Sequence, residues 1–193
     1  MKRTKYITAL ILLLATLYQT ASAQAGIYLY WQDYKEGKLN YPVDCRKKSE
    51  KIKVHTFDAK SYIEIVQHDK KIQLSKDSIY GYRDCNGKDF RIVKDYCHTY
   101  QIVENKSIVI YTTEVIEVKG KYCRIVPKFC FSNGLDANVL PLTFDNLEMV
   151  FPGNNKLREL LKTEFSSEYN IADYDKNHNM YKVNFLINES LKK

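Results

Sequence analysis

No Gly-x-Ser-x-Gly, no Cys-x-x-Cys and no glycine-rich loop ending in lysine occurs in this sequence. The first absence removes the nucleophile elbow of α/β-hydrolases, the second the usual zinc and thiol-redox spacings, and the third a phosphate cradle. The seven glycines and four prolines are dispersed, so no flexible linker divides the chain into two domains. Internal repeats and low-complexity tracts are missing as well. His55, His68, His98 and His178 are too scattered to form a ligand pattern, and no cofactor or metal is expected. Cys97 and His98 adjoin, but neighbours on a strand point to opposite faces, so adjacency makes no catalytic dyad.

One long apolar run is present, Ile7 to Tyr18, behind the basic residues Lys2, Arg3 and Lys5. As a helix it covers about 18 Å, well short of the ~30 Å hydrocarbon layer. Ala21-Ser22-Ala23 then supplies the small residues that a signal peptidase accepts, so cleavage is expected between Ala23 and Gln24, with a cut after Ala25 as the near alternative. No cysteine precedes Cys45, which excludes a lipid-modified cysteine at this cut. No later segment is apolar enough to span a membrane, so the expected mature chain is exported, to the periplasm, cell surface or extracellular space.

Loss of residues 1–23 takes three cations and no acid, lowering the formal net charge from +7 to +4. The remainder suffices for one domain burying roughly 70% of its unfolded surface. The densest basic stretch, "CRKKSEKIK" at 45–53, reads as a solvated loop. A nucleic-acid footprint needs a stripe of such charge, so no nucleic-acid partner is expected.

An exported chain meets oxidising conditions, and five cysteines leave at least one thiol unpaired. Cys123 and Cys130 flank "RIVPKF". If that stretch is one strand, their Cα atoms lie about 23 Å apart on opposite faces, beyond disulfide reach unless Pro127 turns the chain back. Cys45 and Cys85 sit in "VDCRKK" and "RDCNGK", loop sequences in which backbone can adjust, and form the candidate bridge. Five unbridged, buried thiols are the alternative.

From about residue 28 to 142 the chain reads as successive antiparallel strands, a meander or a partly closed barrel. "SYIEIVQ" and "KKIQLS" bracket a polar "HDK" turn; "SIYGYRD" and "KDFRIV" bracket "CNG"; "SIVIYTTEVIEV" and "KYCRIVPKFCF" bracket "KG". After Leu142 the period changes to helical. Thr143 is an N-cap and Pro152 a stop; Leu157, Leu160, Leu161 and Phe165 form one stripe; Met180, Val183, Ile187 and Leu191 form another. The expected fold is thus a single α+β domain over 24–193, a β-rich part followed by two to three helices packed on the sheet.

"DYDKNHN" places Asp173, Asp175, Asn177 and Asn179 at alternate positions, as a calcium loop does, but His178 and Asn184 stand where Gly and Glu are needed. These residues are instead expected to cap the last helix. In "DCNGKD", a two-residue Asn86-Gly87 loop would set Asp84 against Asp89, so a slipped register or splayed side chains is expected. Tyrosine is the one compositional excess, 16 residues. "GIYLYWQDY" groups Tyr28, Tyr30, Trp31 and Tyr34, which either line a ligand surface or clamp the first strand to the core.

"GIYLYWQDYKEGKL", "IYGYRDCNGKDFRI", "LPLTFDNLEMVFPGNNKLRELL" and "YDKNHNMYKVNFL" together resemble a family of exported proteins of Bacteroidetes-type bacteria that has no known activity. The resemblance implies a bacterial export route and transfers no catalytic residue. Cysteines near positions 45 and 85 belong to that pattern, whereas Cys97, Cys123 and Cys130 do not. The functional expectation is a non-enzymatic binding or protein-interaction domain, whose partner is a small ligand or an envelope or extracellular protein. The alternative is a hydrolase whose acidic or histidine residues converge only in the fold, and a third is a subunit of an envelope assembly.

Overall fold

The computed structural model describes residues 24–55, 60–93 and 98–192. Residues 1–23, expected to be a leader and ending at Ala23 of the expected cleavage pair, and Cys97 lie outside the described residues. Gln24 opens β1 (Gln24–Tyr28), which is followed by α1 (Trp31–Glu36) and β2 (Asn40–Asp44). β6 (Gly81–Arg83), β7 (Asp89–Val93), β8 (His98–Asn105), β9 (Val109–Lys119), β10 (Tyr122–Ser132) and β11 (Leu140–Pro141) then form a meander. Together they make an eight-stranded antiparallel sheet of order β11-β10-β9-β8-β7-β6-β1-β2. Its ends, β11 and β2, do not meet, so the sheet is open and no barrel forms. The strands between β2 and β6 leave this sheet altogether: β3 (Lys51–Lys53), β4 (Tyr62–Gln67) and β5 (Lys70–Ser75) build a separate three-stranded one.

Local turn chemistry sets the hairpins. His68 and Asp69 adopt φ of 49° and 61°, the left-handed pair that a two-residue turn between β4 and β5 requires. Between β6 and β7 the Asp84 amide donates to the Lys88 carbonyl at 2.9 Å and closes a three-residue loop over 85–87, with Gly87 at φ 76° and the Asp84 side chain accepting hydrogen bonds from the Asn86 and Lys88 amides at 2.9 and 2.8 Å. Register therefore slips by one place from the two-residue reading, and Asp89 stands opposite Arg83, not Asp84. The bridge between Cys45 and Cys85 forms across this loop, with Cα atoms 5.6 Å apart. Cys123 and Cys130 lie at opposite ends of one unbroken strand, the first exposed and the second buried.

α1 departs from the expected run of strands. Asp33 turns the chain by accepting from the Leu29 and Tyr30 amides and from Asn40 Nδ2, and Gly37 closes the helix at φ 67°. After the sheet come α2 (Phe144–Val150), capped by Thr143, and α3 (Asn155–Glu164), capped by Asn154. "DYDKNHN" does not cap the last helix. It forms the turn of a small hairpin, β12 (Tyr174–Asp175) with β13 (Met180–Tyr181), in which Asp175 accepts from the Asn177 and His178 amides and contacts His178 Nδ1 at 2.7 Å. α4 (Lys182–Leu191) thus starts later than its apolar stripe, and Leu191 is exposed.

Strand alternation divides the large sheet into two faces. Ile27, Tyr82, Ile92, Ile110 and Phe131 share one face by register. The small sheet covers part of it through Ile63 and Ile65, and the helices cover the rest through Leu147, Leu157, Leu161, Val183 and Ile187. The helical and β-rich parts therefore share a core. The opposite face carries Tyr28, Arg83, Asp89, Arg91, Tyr100 and Tyr111 and, among the described residues, is covered chiefly by α1 and the segment 133–139. β9 and β10 also run beyond their neighbours as a two-stranded ribbon on which Ile116, Val118, Tyr122 and Ile125 are exposed.

Candidate functional site

The tyrosine face is assembled by register. Arg83 pairs with Asp89 and Arg91 with Tyr100, while Tyr28 stands across from Gly81. A Cβ at Gly81 would lie 2.0 Å from the Phe90 carbonyl oxygen, so this crossing of β6 and β7 admits only glycine. Tyr28 meets Tyr34 edge-on at 5.4 Å, and Tyr34 lies 6.0 Å from Tyr80. α1 is thereby seated on the sheet by aromatic contacts.

Two arginines on this face are treated differently. Arg83 forms a forked ion pair with Asp89 at 2.8 and 2.9 Å, and the Tyr28 hydroxyl donates to the same carboxylate at 2.7 Å. The hydrogen bond to Asp89 raises the Arg83 pKa; burial, then the Asp89 bond, push the Tyr28 phenol well above its usual range. Arg91 has no acidic partner among the described residues. Its Nη1 donates to the Tyr111 hydroxyl at 2.9 Å and to Ser132 Oγ at 3.4 Å, and its Nη2 to the Ala137 carbonyl at 2.8 Å. Its guanidinium lies 5.3 Å from the Tyr80 ring centre and 5.8 Å from that of Tyr111, within cation–π range. The Tyr80 hydroxyl is buried without a well-formed hydrogen bond. Burial and the neighbouring Tyr111 raise its pKa, with Arg91 opposing them.

Above Arg91 the sheet is uncovered. A cleft of about 640 Å³ opens between α1 and the segment 133–139. Leu29, Tyr30 and Trp31 form one wall, Leu135, Asn138 and Val139 the other, and Tyr80 and Arg91 line it between them. Asp77, Ser78 and Asp136 add polar groups, and both acids are exposed. The volume suits a small molecule, and the mixture of aromatic wall with a few fixed polar groups is what small-ligand sites present. A second groove, on the other face beside the ribbon, is lined mainly by threonines, Phe90, Ile116 and Ile125, and no charged group in it is held by a network like that around Arg91.

Of the four aromatic residues singled out in "GIYLYWQDY", the structure brings Tyr30 and Trp31 to the cleft. It separates Tyr28, which is fully buried under α1, and Tyr34, which packs below the helix against Tyr28 and Tyr80. These two clamp the first strand and do not line the cleft. Arg91 was missed. "DFRIV" marks it as a strand residue and nothing more, because its distinction from Arg83 lies in which side chains face it across three strands. Among the described residues no group of three or more His, Cys, Asp or Glu side chains is placed to hold a metal ion, and no helix is long and apolar enough to cross a membrane. No protein-family model, no curated protein and no solved structure matches this chain.

Proposed function

We propose that this chain is an exported binding domain whose ligand site is the cleft between α1 and residues 133–139. The observation that carries the reading is structural. The cleft is walled by the exposed Tyr30 and the half-buried Trp31 at the start of a helix anchored from below, and its floor is a cation fixed by three hydrogen bonds. Such a floor is set before a ligand arrives, which reduces the ordering cost of binding. The Cys45–Cys85 bridge supports an oxidising compartment, in line with the Ala23/Gln24 cleavage and with the resemblance to exported bacterial proteins.

One observation favours a second reading. Asp77 and Asp136 line the same cleft, the pairing of acids that a hydrolase of sugars requires. Both stand in solvent, however, whereas a carboxyl acting as acid near neutral pH needs a desolvated setting. Binding without chemistry is the stronger reading.

Trp31 is the only tryptophan in the chain, so its emission reports on the cleft without labelling. A library of small ring-containing molecules, titrated against residues 24–193, should produce saturable changes in that emission. Trp31→Phe should abolish the signal, and Trp31→Ala should weaken binding measured calorimetrically. If no member of such a library alters the emission, the cleft is not a ligand site.

A further inference from the structure

Six arginines occur in the chain, and five of them, Arg46, Arg83, Arg91, Arg124 and Arg158, fall among the described residues. Arg46 pairs with Asp44, Arg83 with Asp89, Arg124 with Glu117 and Arg158 with Glu148. Arg91 is the exception, although it is half-buried while Arg46 and Arg124 are exposed. Taking a guanidinium partly out of water without an anion is unfavourable, and buried or half-buried cations are ordinarily paired. Here the charge is met only by neutral oxygens, from Tyr111, Ser132 and Ala137, and by the faces of two tyrosines.

The geometry of its donors adds a second point. A guanidinium has five N–H groups, and three are used on protein oxygens. Nε makes no bond to a described residue, and Nη2 makes one. Nε–H is on the edge of the guanidinium that, together with Nη2, can grip a carboxylate through two parallel hydrogen bonds. The side chain is held through its two Nη groups by β9, β10 and residue 137, and it lines the cleft.

Resting on the reading of the cleft as a ligand site, we propose that Arg91 receives a carboxylate and that Tyr30 and Trp31 cover an attached ring. The ligand class is therefore a ring-bearing carboxylic acid in its ionised form. Asp77 and Asp136 would repel a second negative charge, so a ligand with one acidic group is favoured over a dianion. A neutral ring compound meets the aromatic wall but leaves the fork of Arg91 unfilled. An amine meets the acids but is repelled from the floor.

The test compares isosteric pairs. Phenylacetate, indole-3-acetate and 2-naphthoate are each titrated against residues 24–193 beside the corresponding carboxamide, by calorimetry with Trp31 emission as a second readout. The acid should bind at least tenfold more tightly than its amide, the difference between a charge-assisted and a neutral hydrogen bond. That preference should collapse as pH falls through the pKa of the ligand's own carboxyl group. Arg91→Gln should erase the ratio. Arg91→Lys, which keeps the charge and loses the fork, should retain only part of it. Because Arg91 also ties down residue 137, each variant's thermal midpoint is measured, and the acid-to-amide ratio of the unaltered protein stands as a test that needs no variant. Equal binding of acid and amide would overturn the carboxylate assignment while leaving the cleft as a site. No response to any of the six compounds would overturn both.

Discussion

Asn184 is a fully buried polar side chain that holds the last helix to the sheet. Its Oδ1 accepts from the Ile108 amide at 2.9 Å, and its Nδ2 donates to the Ile108 carbonyl and to Glu104, whose carboxylate also accepts from the Tyr181 amide. Asn184→Ala strands three of these groups at once. A loss of about 3 kcal/mol is expected, read from urea unfolding, since each buried unsatisfied group costs roughly 1–3 kcal/mol. The tyrosines give a pH signature of their own. Tyr34 and Tyr82 are pushed up from the usual 10 to about 12, first by burial. A pKa raised on folding means the stabilisation is complete below pH 10 and is lost as pH rises through about 12. Alkaline titration followed by phenolate absorbance should therefore show the exposed tyrosines ionising first and a cooperative step, coincident with loss of near-UV dichroism, only near or above pH 12. At the acid end Asp44, held down to about 2 by its hydrogen bonds with Arg46, contributes above pH 4 and loses that contribution as pH falls through 2. Its partner Arg46 is exposed and the pair is screened by solvent, so the effect is small.

At the scale of elements, the bridge and the ribbon make opposite demands. Cys45–Cys85 closes 40 residues that include the entire small sheet. Chain-entropy reasoning gives about 4 kcal/mol for a loop of that size. The Cys45→Ser/Cys85→Ser double variant should lose stability of that order, with the small sheet released before the helical core under hydrogen exchange. Ile116 and Ile125 have the same hydrophobic character as Ile110, but they stand on the exposed ribbon while Ile110 is fully buried. Ile116→Thr or Ile125→Thr should change unfolding free energy by less than about 0.5 kcal/mol, and Ile110→Ala should cost about 3 kcal/mol. The hairpins, the meander, Thr143 as a cap and the stripe on α3 were all readable from sequence, because turn residues and apolar period act over a few positions. α1 was not read, although Asp33 three places after Tyr30 and the following Gly37 are a start and a stop. The surrounding tyrosines and the tryptophan favour strands and masked that signal. The departure of β3–β5 into their own sheet had no local mark, since it depends on Ile63 and Ile65 finding Ile27 and Ile92 across the core.

For the whole molecule, one sheet with unequal cover accounts for both the core and the cleft. Layers of helix and small sheet exclude water from one face, and the thin cover on the other leaves a cleft over an arginine that no acid neutralises. Tyr30 and Trp31 stood out in sequence only as part of an aromatic cluster with two possible roles, whereas Arg91 required the assembled register. Processing belongs to this scale too: material from the expressing cells should have the intact mass of a chain beginning at Gln24 with two hydrogens fewer per bridge. The most direct test of the cleft as the ligand site is a two-dimensional ¹H–¹⁵N spectrum of residues 24–193 titrated with indole-3-acetate to saturation. The expected result is displacement of the Trp31 indole signal together with the amides of Tyr30, Ile79, Tyr80 and residues 135–139, with the ribbon unmoved. Displacement confined to the ribbon around Ile116 and Ile125, with the cleft amides unchanged, would contradict it.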